Sequence, residues 1–276
     1  MNEAAPLADT GRLSLNQITL NNLSLKECAK ACIRHGLQWI GPWRHRVQEI
    51  GLAESASLLR DSGLRVSGLC RGGFFPASTQ SELQARIDDN RRAIDDAAEL
   101  SAECLVLVCG PAPDRDIAAG RSMVADGIAA IVPHARQQGV RLGIEPLHPM
   151  FAADRSVIVT LAEALDLALQ FDVLDVGIVV DTFHVWWDPR LQEELQRASG
   201  RIAAYHVSDW SKIAGDIAKC RSMMGDGTIE LRGIRRAVEE TGYSGPIEVE
   251  IMNEAIWNRP ADSVMKEMIE RYLACV

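Results

Sequence analysis

No uninterrupted apolar run in this sequence of 276 residues approaches the roughly 20 residues that a helix needs to cross a bilayer. The first residues, Met-Asn-Glu-Ala-Ala-Pro, lack the basic start and the apolar stretch of a secretion signal. Seven cysteines are scattered along the chain and none belongs to a CxxC pair; Cys28 and Cys32 share a helical face, and we expect these two to be buried as small apolar residues. These absences predict a cytoplasmic protein that does not associate with membranes.

Positive charge is also scarce, because 29 basic side chains face 38 acidic ones and leave a formal net charge of −9. Binding to duplex nucleic acid needs clustered lysines and arginines that neutralise the phosphates. We therefore expect no nucleic-acid partner.

A glycine-rich phosphate-binding turn is missing after the first predicted strand, where a doubly wound dinucleotide-binding sheet would carry one. Instead, strand and helix signals alternate along the whole chain with short connections, and 47% of the residues are hydrophobic. Eight such pairs predict an α/β fold, a single (β/α)8 TIM barrel that covers residues 1–276. The predicted strands are Leu13–Leu20, Gln38–Ile40, Arg65–Leu69, Cys104–Val108, Val140–Glu145, Val176–Asp181, Ile202–Val207 and Ile247–Glu250.

Two parts of this pattern are irregular. Pro133 falls inside a predicted helix over Ile117–Gln138 and should kink or break it. The segment Ser208–Thr228 is longer than an ordinary connection, and long loops in compact domains are often functional.

Four predicted strands in the second half of the chain stop at a carboxylate or an imidazole. In a parallel barrel the carboxyl ends of the strands meet at one face, and active sites lie there. Two Glu, one Asp and one His make an oxygen-rich donor set that suits Mn²⁺, Mg²⁺ or Co²⁺ better than a structural zinc. The segments are Gly143-Ile144-Glu145-Pro146, Val179–His184, Ala204–Val207 and Ile247–Glu250.

These segments resemble the xylose isomerase-like barrel superfamily, and within it most closely the ketose 3-epimerases and the sugar-phosphate isomerases and epimerases. The resemblance covers most of the chain and is strongest from Val140 to Asn253. It rests on Glu-Pro-Leu after the fifth strand, Asp-Thr-Phe-His after the sixth, a histidine on the seventh and Gly-Tyr-Ser-Gly-Pro-Ile-Glu-Val-Glu at the eighth. Asp-Thr-Phe-His is the most specific of these matches.

The resemblance implies a role for each residue. The metal ligands would be Glu145, Asp181, His206 and Glu250. Glu145 and Glu250 would also exchange protons with the substrate as an acid–base pair, and His184 would hydrogen-bond a substrate oxygen near the carbonyl. Glu248 points to the same side of its strand as Glu250 and competes for the same role, but Glu250 lies closer to the carboxyl end.

Two stretches depart from the epimerase pattern. Where a second glutamate follows the Glu-Pro motif in those enzymes, this chain has His148, which could act as the catalytic base at neutral pH or simply pack beside Pro149. The arginine that follows the strand-seven histidine is also displaced. The basic residues that follow His206 include Lys212 and Arg221. Arg221 could reach the substrate or pair with Asp226.

The predicted mouth of the barrel is rich in side chains that could bind a sugar. Aromatic rings stack on the apolar faces of sugars, although any one ring could instead belong to the core or to a subunit contact. The candidates at the mouth are Arg71, Trp43, Trp186, Trp187, Trp210 and Trp257. Among them we predict that Arg71, Trp186 and Trp210 bind the substrate, together with His184 and Arg221.

His148 and the aromatic mouth also resemble the α-subunits of C-glycoside deglycosidases and related lyases on 3-keto-glycosides. Two functions therefore stay open. The first is a divalent-metal-dependent isomerase or epimerase of a ketose or keto-sugar, which abstracts a proton next to a metal-bound carbonyl and passes through an enediolate. The second is a lyase that cleaves 3-keto-glycosides by β-elimination, with His148 as the base.

Under either function we expect the ligand to be a small-molecule sugar, keto-sugar or glycoside. The expected cofactor is one divalent ion, and Mn²⁺ is the first candidate. The resemblance to these enzymes and the aromatic side chains at the mouth also predict a homo-oligomer. The resemblance to the lyases further implies a separate partner subunit. Endonuclease IV shares this barrel, but it needs more histidine and acidic ligands than a chain with six histidines offers. A metal-free binding protein is disfavoured by the four intact ligand positions.

Overall fold

Nine parallel strands form one sheet that curls into a nearly closed barrel. The computed structural model describes residues 7–211 and 216–276. In this part of the chain the strands are β1 (Leu13–Asn16), β2 (Trp39–Gly41), β3 (Arg65–Val66), β4 (Leu69–Gly73), β5 (Leu105–Val108), β6 (Leu142–Glu145), β7 (Val176–Asp181), β8 (Ile202–Val207), β9 (Asp209–Trp210), β10 (Arg221–Ser222) and β11 (Ile247–Val249). The order in the sheet is β3-β2-β1-β11-β8-β7-β6-β5-β4, while β9 and β10 pair with each other as an antiparallel hairpin.

Helices surround the sheet and connect successive strands. They are α1 (Leu25–Arg34), α2 (Arg44–Ile50), α3 (Leu52–Asp61), α4 (Gln80–Glu99), α5 (Ile117–Gln138), α6 (Leu161–Ala168), α7 (Thr182–Val185), α8 (Leu191–Arg197), α9 (Leu231–Glu240), α10 (Glu254–Trp257) and α11 (Ala261–Cys275). Reciprocal capping boxes fix the starts of two of them, Ser24 with Glu27 at α1 and Thr160 with Glu163 at α6. Among the described residues no helix combines the length and the apolar character that crossing a bilayer requires.

The third predicted strand is divided between β3 and β4. β3 pairs with β2, whereas β4 pairs with β5 on its other side. A parallel bridge between Trp43 and Cys70, and a hydrogen bond from Ser67 N to Ile40 O of 3.0 Å, keep the two pieces next to β2. The sheet therefore has eight successive positions around the barrel, and the prediction of a single TIM barrel is confirmed for the fold class.

Two local predictions need correction. The first strand ends at Asn16 rather than Leu20, because the Asn16 side chain accepts a hydrogen bond from Ile18 N (3.0 Å) and starts a 3₁₀ turn over Gln17–Leu20. Pro133 does not break α5, which runs through it. Proline removes only one backbone donor, and burial of neighbouring residues such as Ile131 against the barrel keeps the helix in place.

Small side chains fill the interior of the barrel. The apolar cluster there consists of Cys70, Cys104, Val106, Val179, Ala203 and Ala204. The larger apolar core lies outside the sheet, where the strands pack against the helices. Because the interior residues are small, polar side chains such as Asn16, Ser67 and Glu248 are also accommodated inside, beneath the carboxyl ends of the strands.

Candidate metal centre and active site

Four side chains that can bind a metal come together at the carboxyl ends of neighbouring strands. They are Glu145, Asp181, His206 and Glu250. β6, β7, β8 and β11 are consecutive in the sheet, and the register places Asp181 directly beside His206. Each side chain offers one potential ligand atom, and these atoms all lie within 4.8 Å of one another. All four side chains are buried, so the sequence-predicted ligands form one compact cluster.

The chemistry of this cluster fits a divalent cation. Nδ1 of His206 lies 3.6 Å from Oε1 of Glu145 and 3.6 Å from Oε2 of Glu250, which is too long for a hydrogen bond. Both ring nitrogens of His206 are buried without a hydrogen-bond partner among the described residues. A buried imidazole nitrogen without a hydrogen-bond partner is costly, and an ion bound between Nδ1 of His206 and the carboxylates of Glu145 and Glu250 would offset this cost.

The carboxyl groups of Glu145 and Glu250 differ in pKa, because their charged neighbours differ. Burial, together with the nearby negative charges of Glu250 and Asp181, raises the pKa of Glu145 to about 7. Burial alone would also raise the pKa of Glu250, but Arg221 and His206 outweigh it and lower that pKa to about 2. In the metal-free protein the two glutamates therefore differ in protonation near neutral pH.

Glu248 occupies a different place from Glu250. Its Oε1 accepts a hydrogen bond from Asn16 Nδ2 (2.5 Å), and its other oxygen accepts one from Ser67 Oγ. Oε1 also lies 3.8 Å from Nε2 of His206, on the side of the ring away from Glu145 and Glu250. Glu248 thus lies beneath the cluster and faces the back of the histidine.

Arg221 is brought to the cluster by the β9–β10 hairpin. Its Nη1 donates to Oδ2 of Asp181 (2.7 Å) and lies 3.1 Å from Oε2 of Glu250. The alternative pairing with Asp226 is wrong, since Asp226 pairs with Arg271 at 2.6 Å. Lys212, the other basic residue of this loop, lies outside the described residues.

The loop that follows the hairpin is fixed by one buried carboxylate. Asp209 accepts hydrogen bonds from the backbone N–H groups of Gly225 (2.9 Å), Gly227 (2.9 Å) and Ile229 (3.0 Å). Asn253 Nδ2 donates a hydrogen bond of 2.9 Å to the backbone carbonyl oxygen of Arg221. The position of Arg221 therefore depends on contacts between segments that are distant in sequence.

His184 lies beside Arg221 and lines the main cavity. Its Nε2 is 3.2 Å from Nη2 of Arg221, and its Nδ1 accepts a hydrogen bond from His148 N (3.1 Å). Burial lowers the pKa of His184 to about 3, so the ring is neutral at physiological pH. The contact of His184 with a substrate oxygen stays a prediction.

A cavity of about 320 Å³ opens above the cluster. Glu145, Glu250 and Arg221 form its floor, and Arg71 lies on its wall, in agreement with its predicted position at the mouth. Four aromatic side chains complete the wall, namely Trp43, Phe74, Phe151 and Phe183. Phe183 belongs to the Asp-Thr-Phe-His motif and Phe74 to the glycine-rich loop that carries Arg71, so both positions were predictable from the sequence, whereas Phe151 lies in a 3₁₀ turn whose path was not.

His148 lies among aromatic side chains beside the cavity. Its side chain does not line the cavity. The ring packs against Trp187 and Trp210 with centroid distances of 5.6 and 5.1 Å, and Nδ1 accepts a hydrogen bond from Met150 N (3.2 Å). These ring contacts agree with the packing alternative, and the role of His148 as the base stays a prediction.

Trp186 and Trp210 are not among the side chains that line the cavity, and their contact with the substrate stays a prediction. Trp210 stacks on Phe183 with a centroid distance of 4.6 Å, and Trp186 lies 5.8 Å from Trp210. The tryptophans form a layer behind Phe183. Sequence position placed them at the correct end of the barrel, but the side on which each ring packs depends on its tertiary neighbours.

The comparison with known families agrees with this geometry. A model of the xylose isomerase-like TIM barrel matches residues 23–275. The chain belongs to this family. The resemblance predicted from the strand-end motifs is therefore confirmed.

Two relatives of known activity align with large parts of the chain. A 3-dehydroshikimate dehydratase of Pseudomonas putida is 28% identical over 197 residues, which cover 67% of this chain but 29% of that enzyme. This chain thus spans about three tenths of the dehydratase. An inosose isomerase of Bacillus velezensis is 23% identical over 277 residues, which cover 96% of this chain and 97% of the isomerase.

Solved structures show the same fold. A protein of Sinorhizobium meliloti 1021 is 47% identical, with a TM-score of 0.93 over 97% of this chain and 99% of the other. The IolI protein, solved with a bound zinc atom, has a TM-score of 0.83 and 19% identity over 95% of this chain and 97% of its own.

Proposed function

We propose that this chain is a divalent-metal-dependent enzyme that isomerises or epimerises a keto-sugar or a related cyclic keto-polyol. The reaction would move a proton at the carbon next to the carbonyl. The observation that carries the proposal is the buried cluster of Glu145, Asp181, His206 and Glu250 at the floor of a cavity. The inosose isomerase, which aligns along its whole length, supports the choice of substrate class.

The four side chains of the cluster would hold one divalent ion. When bound, the ion would polarise the substrate carbonyl and so make the neighbouring C–H more acidic. Three carboxylates and one imidazole suit Mn²⁺, Mg²⁺ or Co²⁺. The zinc atom in the IolI neighbour adds Zn²⁺ to the ions that should be tested.

Glu145 and Glu250 would act as the acid–base pair. They belong to strands on either side of β7 and β8, and both carboxylates face the cavity. One glutamate can take a proton from one face of the substrate while the other returns a proton to the opposite face, as epimerisation requires. Arg221 and His184 would hold substrate oxygens in place between them.

Proton NMR in D₂O tests the proposal. The protein would be loaded with Mg²⁺ and given an inosose, free ketoses, ketose phosphates and a 3-keto-glucoside. We expect deuterium to enter beside the carbonyl of at least one substrate as its isomer appears.

Glu145→Gln and Glu250→Gln should each slow the exchange by at least about 100-fold, because each removes a proton-transfer group. Glu54→Gln, which changes an exposed glutamate, serves as the control. Absence of exchange from every substrate would contradict the proposal.

A second candidate function is β-elimination of water or an aglycone from a keto compound. The alignment with 3-dehydroshikimate dehydratase favours it, since a dehydratase removes water. Both reactions begin by removing the proton beside the carbonyl, and they differ in whether a leaving group occupies the β position. Because Glu145 and Glu250 line the cavity and the His148 ring packs against Trp187 and Trp210, we take one of the two glutamates as the base in either reaction. In the same spectra, elimination would produce new alkene proton signals in place of an isomer.

A further inference from the structure

Two arginines on the wall of the cavity have no acidic partner in the part of the chain that the structure describes. Arg71 lies in β4, and Arg155 follows the 3₁₀ turn Pro149–Phe151. Both line the cavity that has Glu145 and Glu250 at its floor. In the described ranges, 7–211 and 216–276, neither guanidinium makes a hydrogen bond or an ion pair with another side chain, whereas Arg221 is paired with Asp181.

Each of these guanidinium groups is positioned by an aromatic ring of the cavity wall. The Cζ atom of Arg71 lies 4.2 Å from the centroid of the Phe74 ring, and Cζ of Arg155 lies 5.1 Å from the centroid of Phe151. Stacking orients the group without using its N–H donors. The donors therefore stay available to a ligand in the cavity.

The backbone that carries Arg71 is held firmly. Phe74 N donates to Val108 O at 2.7 Å. The side chain of Asn90 pairs with both backbone groups of Gly73, accepting from its N–H (2.6 Å) and donating to its carbonyl (2.8 Å). A fixed loop of this kind reduces the entropy that is lost when the side chain binds a ligand.

The two positive charges also act on each other. Arg71 is half-buried, and its burial, together with the nearby charge of Arg155, lowers its pKa. Arginine nevertheless stays protonated, so two cations line the same cavity, with Arg71 half-buried and Arg155 exposed. Asp154 also lines the cavity, but its carboxylate forms no ion pair with Arg71 or Arg155. An anion bound between the arginines would relieve this repulsion.

We propose that the substrate carries an anionic substituent, a carboxylate or a phosphate, and that Arg71 and Arg155 bind it at the mouth of the cavity. This substrate class rests on the proposed function, since the reacting carbonyl would lie at the floor beside Glu145 and Glu250. The guanidinium groups would donate paired N–H bonds to the anionic oxygens. A neutral sugar of the same size would leave both arginines unpaired.

Matched pairs of ligands test this assignment by calorimetry on the Mg²⁺-loaded protein. One pair is 3-dehydroshikimate and its methyl ester, and the other is L-ribulose 5-phosphate and L-ribulose. We expect the anionic member of at least one pair to bind at least about tenfold more tightly than its neutral partner. The pair that shows the difference tells whether the site takes a carboxylate or a phosphate.

Substitutions of Arg71 and Arg155 test whether these residues cause the preference for the anionic ligand. Arg155→Gln, at an exposed position, and Arg71→Gln should each reduce the difference within the responding pair to about threefold or less, and thermal unfolding would verify that both variants fold. Arg65→Gln is the matched control, since Arg65 stacks on Trp39 at 3.7 Å at the opposite end of the barrel and should leave the preference unchanged.

Equal binding within both pairs, or no binding by any of the four compounds, would overturn the assignment, as would a preference that survives in the double variant Arg71→Gln/Arg155→Gln. Deuterium exchange measured on the same samples separates the two proposals. An anion preference that depends on the arginines, without exchange in any compound, would support the anion site and contradict the isomerase instead.

Discussion

His206 lies between two groups of carboxylates, and its two ring nitrogens face different neighbours. Nδ1 faces Glu145 and Glu250, at 3.6 Å from each, and Nε2 faces Glu248 at 3.8 Å. Metal-bound histidines commonly present their second N–H to a carboxylate, which fixes the tautomer and the orientation of the ring. This arrangement gives Glu248 a role in positioning His206 although it is not one of the predicted ligands.

Glu248→Gln should therefore weaken metal binding without unfolding the protein. We expect the Kd for Mn²⁺, measured by calorimetry, to rise by about 10- to 100-fold, because the amide cannot supply the negative charge behind the ring. Glu194→Gln is a suitable control, since Glu194 is also fully buried but pairs with Arg190 and Arg197 away from the site. An unchanged Kd in Glu248→Gln would show that Glu248 has no part in orienting His206.

At the scale of elements, two irregular segments complete the wall that the strands leave open. The β9–β10 hairpin brings Arg221 over the ends of β7 and β11, and the stretch from Cys70 to Phe74 presents Arg71 to the cavity. Each segment is held by one buried polar side chain that satisfies several backbone groups, Asp209 in the first and Asn90 in the second.

Asp209→Asn should displace Arg221 while leaving the metal ligands in place. An amide has only one acceptor oxygen, so at least one of the backbone N–H groups that Asp209 now satisfies would face an NH₂ group. We expect kcat/KM to fall by about 10- to 100-fold, with the Kd for Mn²⁺ within about twofold of the wild-type value. Asp188→Asn, which changes an aspartate bonded to the backbone of Arg190, provides the comparison. Equal activity of the two variants would contradict this role of the hairpin.

Asn90→Ala should destabilise the fold. The substitution leaves the N–H and the carbonyl of Gly73 buried and unpaired, at a cost of about 3 kcal/mol in the free energy of unfolding. Urea denaturation would measure the loss. Gln84→Ala, on an exposed part of the same helix, should cost less than about 0.5 kcal/mol. Similar losses in the two variants would show that Asn90 does not hold the loop.

At the scale of the whole molecule, the sheet order determines which strand ends meet. Strands with a continuous apolar run, such as Val176–Asp181 and Ile202–Val207, were predictable to the residue, and so was the carboxylate or imidazole at their ends. The position of Arg221 was not, because it depends on a hairpin closed by Asp209. The orientation of His148 likewise depends on the rings that surround it.

Some whole-molecule properties predicted from the sequence stay predictions. These are the cytoplasmic location, the homo-oligomer and the separate partner subunit. The extent of one domain over residues 1–276 is also a prediction. Each concerns surroundings or chain segments rather than the barrel itself, so the geometry of the site does not depend on it.

Metal binding should stabilise the whole barrel. Mn²⁺ at about 100 times its Kd should add about 2.7 kcal/mol to the free energy of unfolding, and raise Tm by about 5–10 °C for a chain of this size. Differential scanning calorimetry before and after treatment with EDTA would measure the change. His206→Ala should show no such shift. A Tm of the wild-type protein that is the same with and without the metal would contradict a metal site in the folded state.

The most direct test of the metal centre is anomalous X-ray scattering from crystals grown with Mn²⁺. We predict one strong anomalous peak per chain, within about 2.0–2.6 Å of carboxylate oxygens of Glu145, Asp181 and Glu250 and of Nδ1 of His206. A peak located elsewhere, or no peak from protein that is saturated with Mn²⁺, would contradict the metal centre and with it the proposed chemistry.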